Sequence, residues 1–186
     1  ERAVRYLLDN QSGGAWRYPS AGSDLSNTQY ALLGLWAAAR CGAKIPQDVW
    51  VQALEHLLGL QERTGPETLL RTTEAHGEYR IVVSEKARAR GFRYRPEEPV
   101  TGSMTTAGMA GITICQDELW ASRKFTAEQR SRCRKAIRDA MAWLQENFDV
   151  EDNPVEGPQA DGAQGARWRP SRWHLYYLYG LERAGI

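Results

Sequence analysis

Apolar side chains recur every three or four positions in six stretches of the chain, the spacing that places them on one face of an α-helix. The six predicted helices cover residues 2–11, 23–41, 46–62, 103–119, 126–145 and 173–184. Two of them open with capping-box spacing, Ser26-x-x-Gln29 and Thr126-x-x-Gln129. Most charges of the fifth helix fall off its apolar stripe and are expected to face solvent. These charges are Arg132, Lys135, Arg138 and Asp139. The pattern predicts an all-α protein of paired helices.

Residues 63–100 lack this helical period and are rich in polar side chains. Within them the segment 79–83 favours a strand, and residues 92–94 could pair with it as a short β-hairpin. We therefore predict a long polar insertion between the third and fourth helices. Its basic residues predict a solvated loop, with a clamp for an anionic ligand as the alternative. They are Lys86, Arg88, Arg90, Arg93 and Arg95.

A six-residue phrase occurs three times, each time shortly before an even-numbered helix. Its copies are GAWRYP at 14–19, GFRYRP at 91–96 and GARWRP at 165–170. Each copy begins with Gly, ends with Pro and contains an aromatic and a basic residue. Such an internal repeat indicates a repeated structural unit. The predicted units cover about 1–41, 46–119 and 126–186 of a single domain, with 63–100 as the insertion.

A Gln closes each odd-numbered helix, and a Gly and an aromatic residue follow it. The pairs are Gln11 with Trp16, Gln61 with Tyr94, and Gln145 with Trp168. This arrangement resembles the QW motif of the terpene cyclase and protein prenyltransferase superfamily. The resemblance implies an α/α toroid in which even-numbered helices are inner and odd-numbered ones outer. Three helical hairpins make about half a toroid, so we expect a fragment or a divergent member. The Gln and aromatic residues are assigned a structural role, because an amide can bond the free groups of two helix ends.

Composition excludes several classes of protein. The chain has 186 residues, 42% of them apolar and 25% charged, with a net charge of +1, which is typical of a globular domain without a nucleic-acid partner. No apolar run approaches the ~18 residues of a transmembrane segment. Cys41, Cys115 and Cys133 are odd in number and lack C-x-x-C spacing, which argues against a disulfide framework. A reducing compartment such as the cytoplasm is favoured, although the location stays open.

The resemblance also implies catalytic motifs that can be sought in this chain. The place of the zinc-binding Asp-x-Cys pair of prenyltransferases resembles Thr101-Gly102-Ser103, and His174 lies near the position of the zinc-binding His. Hydroxyl groups are not usual zinc ligands and one His does not make a site, so no metal and no cofactor are expected. The acidic DxDD motif of cyclases has its nearest counterpart at 149–152, in a predicted loop. Asp24 is the only carboxylate at the start of an inner helix.

Two functions follow from this motif survey. The first is a domain without the usual catalytic motifs that binds an apolar or isoprenoid ligand, a partner protein or the remainder of a larger chain on its concave face. The alternative is an isoprenoid-converting enzyme whose acid is Asp24 or lies in missing repeats. A carbohydrate-active barrel, which needs paired carboxylates, ranks below both. The candidate pocket residues are Asp24, Ser26, Trp36, Thr101, Ser103, Trp173, His174, Tyr176 and Tyr177.

Overall fold

A computed structural model describes residues 1–19, 21–77, 79–155 and 173–184. It contains a helix in each of the six predicted regions, and a pair of strands between the third and fourth helices. The elements are α1 (Arg2–Asp9), α2 (Leu25–Arg40), α3 (Gln47–Leu60), β1 (Glu67–His76), β2 (Tyr79–Arg88), α4 (Gly102–Leu119), α5 (Ala127–Asn147) and α6 (His174–Ala184).

The all-α class expected from the sequence is wrong, because β1 and β2 form an antiparallel sheet ten residues long. Its register runs from Glu67 opposite Arg88 to His76 opposite Tyr79. The chain is therefore mixed α/β. The expected pairing of 79–83 with 92–94 is also wrong, since β1 is the partner of β2. Phe92 instead forms an isolated bridge with Gln61.

Helix α4 forms the centre of the domain. It packs against α2, α3, α5 and α6, and 14 of its 18 residues are buried. Exposed polar side chains are confined to its C-terminal half, at Thr113 and Asp117. Small side chains allow its neighbours to come close. A Cβ added to Gly180 of α6 would lie 2.1 Å from Thr106 Oγ1 of α4, which shows how tightly these two helices pack. The small residues of α4 thus serve helix packing along most of its length.

Two of the three repeated Gln residues link one odd-numbered helix to the next. Gln11 Nε2 donates to the Val49 carbonyl oxygen of α3 (2.9 Å), and Gln61 Nε2 donates to the Ala136 carbonyl oxygen of α5 (2.8 Å). Gln145 differs, because its amide bonds the backbone of β1 at Leu69 (3.0 Å). The third Gln therefore holds the hairpin and not another helix.

The aromatic partners of these Gln residues have different surroundings. Trp16 is buried, and its indole Nε1 donates to the Leu7 carbonyl oxygen near the end of α1 (2.8 Å). This bond closes the turn between α1 and α2. Tyr94 is half-buried and lies on the wall of the cavity described below. Trp168 and the third copy of the phrase lie outside the described residues.

The base of the hairpin is fixed to α5 by a buried charge. The Asp139 side chain is fully buried, contrary to the expectation that it faces solvent. Its carboxylate accepts from Arg90 Nε (2.8 Å) and from the Arg88 backbone amide (3.3 Å). Arg93 pairs in turn with Glu62 (3.2 Å). Ion pairs therefore occupy two of the basic side chains that the sequence suggested for an anion clamp, Arg90 and Arg93.

Burial of two cysteines leads to a prediction about thiol reactivity. Burial raises the pKa of Cys115, and it raises the pKa of Cys133 to about 11, whereas Cys41 is exposed. Because only the thiolate reacts, Ellman's reagent at pH 8 should label one thiol per folded chain and three after denaturation. Cys41→Ser should remove the native reaction. Rapid labelling of a second thiol in the folded chain would contradict the prediction.

Candidate functional site

A cavity of about 710 Å³ opens where the three even-numbered helices begin. Its walls come from the beginnings of α2, α4 and α6 and, among the described residues, from the loops before α2 and α4 and the loop after α5. The residues lining it are Tyr18, Ser26, Tyr30, Tyr94, Glu98, Thr101, Ser103, Met104, Asn153, Trp173 and Tyr176. Five of these side chains are aromatic, and none of the described lining residues is Lys, Arg or His.

Helix caps place the lining side chains of α2 and α4. Asp24 is the N-cap of α2, and its carboxylate accepts from the Asn27 backbone amide (2.8 Å), which puts Ser26 in the first turn. The Thr101 hydroxyl caps α4 by accepting from the Met104 amide (3.2 Å). Both caps satisfy amides that a helix start leaves free, so the two helices begin at defined residues.

An aromatic pair joins α2 to α6 across the cavity wall. The rings of Tyr30 and Tyr176 stack with their centroids 5.9 Å apart. The Tyr176 hydroxyl donates to Gln29 Oε1 of α2, and Gln29 is fully buried. Stacking and the hydrogen bond together hold the start of α6 against α2. Trp173, just before α6, has an exposed side chain and a positive φ of 73°.

A polar network closes the side of the cavity formed by α4. Asn153 Oδ1 accepts from the Ser103 amide (2.8 Å), and Asn153 Nδ2 donates to Ser103 Oγ (3.1 Å). The Pro154 carbonyl oxygen accepts from the Gly102 amide (2.8 Å). The first backbone amides of α4 are therefore used within the protein. They are not available to bind an anion, as the amides of an open helix start would be.

Two phenols on the wall stay protonated well above neutral pH. Burial, followed by the charge of Asp24 and a hydrogen bond to it, raises the pKa of Tyr94 to about 12. Burial also raises the pKa of Tyr176. Both groups are therefore hydrogen-bond donors and not bases near neutral pH.

The cavity brings together five of the nine pocket residues expected from the sequence, namely Ser26, Thr101, Ser103, Trp173 and Tyr176. The other four lie elsewhere. Asp24 is buried beneath the start of α2, where Asn27 bonds both of its oxygens. Trp36 lies further along α2, with the Arg40 guanidinium 5.2 Å from its ring centroid.

The remaining two expected residues belong to α6. Tyr177 is fully buried, and a Cβ added to Gly102 would lie 2.7 Å from its ring, so it packs α6 on α4. His174 is half-buried, and its Nδ1 has no hydrogen-bond partner among the described residues. The cavity is also smaller than the expected concave face, because it occupies only one end of the even-numbered helices.

The sequence missed six lining residues as parts of a pocket. Tyr18 and Tyr94 belong to the first two copies of the phrase, where each comes shortly before the Pro. Their shared position in the phrase could have identified both tyrosines as pocket residues, since the phrase precedes the helices that form the cavity. The other missed residues are Tyr30, Glu98, Met104 and Asn153.

Three further properties of the chain bear on its assignment. Within the described ranges, no three His, Cys, Asp or Glu side chains are grouped as a metal site would require. None of the helices in the described part of the chain is long and apolar enough to cross a membrane. Comparisons with protein-family models, curated proteins and solved structures find no match to this chain.

Proposed function

We propose that this chain is a binding domain of the terpene cyclase and protein prenyltransferase type, with its ligand site in the cavity at the start of α2, α4 and α6. The cavity itself supports this function best. Its volume of about 710 Å³ lies within the range of about 300–1,000 Å³ that small-molecule sites occupy. Five aromatic rings and Met104 supply the apolar walls that such sites use.

Three polar residues of the wall already contact one another, which favours a ligand that is mainly apolar. Ser103 and Asn153 already bond each other, and Thr101 Oγ1 lies 3.1 Å from Ser103 Oγ. A ligand would therefore gain little from competing for these groups, but it would gain from removing apolar surface from water. An isoprenoid alcohol, with one hydroxyl on a long apolar chain, has this chemistry.

The repeated Gln bonds support the likeness to the superfamily independently of the cavity. Gln11 and Gln61 each tie one odd-numbered helix to the next, although each amide donates to a carbonyl oxygen inside the neighbouring helix and not to a free group at its end. The first two phrase-containing repeats fit this scheme, whereas Gln145 bonds the hairpin and the third phrase lies outside the described residues. In this scheme the even-numbered helices are the inner ones, and the cavity lies where they begin.

Binding of farnesol, measured by isothermal titration calorimetry, tests the proposed function. We expect Ser26→Trp to weaken binding at least about tenfold, because the added ring fills the cavity from the first turn of α2. Ser131→Trp is the matched control, since Ser131 is exposed on α5 and does not line the cavity. If the unmodified chain does not bind farnesol, or if both variants bind it equally well, this proposal fails.

Conversion of an isoprenoid is a second candidate function. It is favoured by Asp24, which lies close enough to the cavity residue Tyr94 for its charge to raise the pKa of that phenol. Incubation with squalene and with prenyl diphosphates, followed by product analysis, tests it. Product that forms with the unmodified chain and not with Asp24→Asn would support it, provided that the variant keeps its native circular dichroism. Unchanged substrate in every incubation would exclude conversion by this chain.

A further inference from the structure

The cavity wall carries a carboxylate that forms no ion pair with the described residues. Glu98 is half-buried and is one of the residues that line the cavity. Its backbone is bonded to Arg95 and Arg93, but its side chain forms no ion pair with the described residues. A cationic group placed near Glu98 gains the attraction of this carboxylate, which a neutral group of the same shape does not gain.

Aromatic rings surround the same space. Tyr18, Tyr30, Tyr94, Trp173 and Tyr176 all line the cavity, and the face of an aromatic ring attracts a cation within about 6 Å of its centroid. Tyr94 already shows this preference on one face, where the Arg95 guanidinium carbon lies 5.1 Å from the ring centroid. Arg95 does not line the cavity itself. Among the described residues, no cationic side chain lies over any of the other four lining rings.

An anionic ligand fits this wall poorly. The first amides of α4 are bonded to Asn153 and Pro154, and no described lining residue is basic. Asp24 lies behind the wall and adds a second carboxylate near Tyr94 and Tyr176. Together these groups disfavour negative charge in the cavity and favour positive charge.

We propose that the cavity selects an organic cation, an apolar molecule with a quaternary ammonium or alkylated amine group that sits between Glu98 and the aromatic rings. This inference rests on the proposed function, since it specifies the ligand of the same site. The rings and the carboxylate replace the water around the ammonium group, and the alkyl groups fill the apolar volume.

Two probes of equal shape separate the charge from the apolar contact. Choline carries a trimethylammonium group, and 3,3-dimethylbutan-1-ol carries a tert-butyl group in its place. We expect choline to bind about tenfold more tightly in NMR titrations, because its positive charge is attracted by the Glu98 carboxylate as well as by the aromatic rings. Ser26→Trp should weaken the binding of both probes, because it fills the cavity.

Glu98→Gln should reduce the preference for choline to less than about threefold and leave the affinity for the neutral alcohol unchanged. Glu97→Gln is the matched control, because Glu97 is exposed next to Glu98 and does not line the cavity. Equal binding of the two probes, or a preference that survives Glu98→Gln, would overturn the inference and leave the proposed function standing. If neither probe binds, the inference fails, and the farnesol titration decides separately whether the proposed function survives.

Discussion

Asp139→Ala is expected to lower the free energy of unfolding by about 3–5 kcal/mol, the usual cost of leaving one partner of a buried ion pair alone. The Asp139 side chain is 0% exposed, and that of its partner Arg90 is 14% exposed, with 2.8 Å between Arg90 Nη2 and Asp139 Oδ2. Removing the carboxylate leaves a guanidinium group with little access to water. The Arg88 backbone amide loses its acceptor at the same time.

Urea denaturation followed by circular dichroism measures this loss. Asp48→Ala is the control, because Asp48 pairs with Lys124 at a similar distance (2.6 Å) but both side chains are more than half exposed. Exposed pairs contribute about 0–1 kcal/mol, so the control should remain near the stability of the unmodified chain. Comparing the two variants therefore shows how much of the lost stability depends on burial of the ion pair.

A double substitution tests whether the uncompensated charge causes the loss. Arg90→Met combined with Asp139→Leu removes both charges and keeps similar volumes, so it should recover much of the stability lost in Asp139→Ala. If Asp139→Ala costs less than 1 kcal/mol, the carboxylate does not fix the hairpin base to α5. Equal losses in the single and double variants would instead assign the effect to packing.

The buried position of Asp139 could not be predicted from the helix pattern alone. Its neighbours Ala136 and Ala140 lie on the predicted apolar stripe of α5, and Asp139 falls beside that stripe. The side of α5 that carries Asp139 is buried because β1 and β2 pack against it. That contact joins segments about 50 to 70 residues apart in the chain. The spacing of apolar residues within α5 therefore cannot predict it.

The hairpin illustrates the same limit. The strand signal of 79–83 was readable, but β1 shows no clean alternation because most of its side chains are exposed, with Leu70 the buried exception. Only Leu70 and Ala87 of the two strands are buried, in a small cluster with Ala142 of α5. A strand with one buried side chain lacks the period-2 pattern that identifies a strand in sequence.

Part of the cavity could be predicted from the repeated phrase. Each phrase precedes an even-numbered helix, and several candidate pocket residues were chosen near the starts of those helices. Of these, Ser26, Thr101 and Tyr176 line one cavity. Trp36 shares α2 but lies ten residues beyond Ser26, which is about 15 Å along a helix. Glu98 and Asn153 lie on loops, whose course depends on tertiary contacts and not on local sequence.

Gly108→Ala is expected to destabilise the protein by about 1–3 kcal/mol, although alanine favours helix formation over glycine by about 1 kcal/mol. A Cβ at Gly108 in α4 would lie 2.5 Å from Cγ and Cδ1 of Phe92. Phe92 is fully buried, and its backbone amide donates to Thr105 Oγ1 (3.1 Å). The ring therefore has little space into which it can move, and the clash must displace backbone or helix.

Gly59→Ala in α3 is the control with the opposite expected sign. A Cβ at Gly59 meets no atom within 4 Å, so the change should keep the helix-propensity gain of up to about 1 kcal/mol. Thermal unfolding of both variants shows directly whether each substitution lowers or raises the stability of the protein. Equal stabilisation by both substitutions would show that Phe92 does not pack against α4 as closely as its distance indicates.

The same substitution connects core packing to the cavity. Phe92 and Tyr94 belong to one copy of the phrase and are two residues apart, and Leu25 of α2 donates its amide to the Tyr94 carbonyl oxygen (3.1 Å). A displaced Phe92 would shift Tyr94 and the start of α2 together. Gly108→Ala should therefore also weaken farnesol binding, whereas Gly59→Ala should leave it unchanged. Unaltered binding in Gly108→Ala, measured below its unfolding temperature, would show that the wall does not depend on this contact.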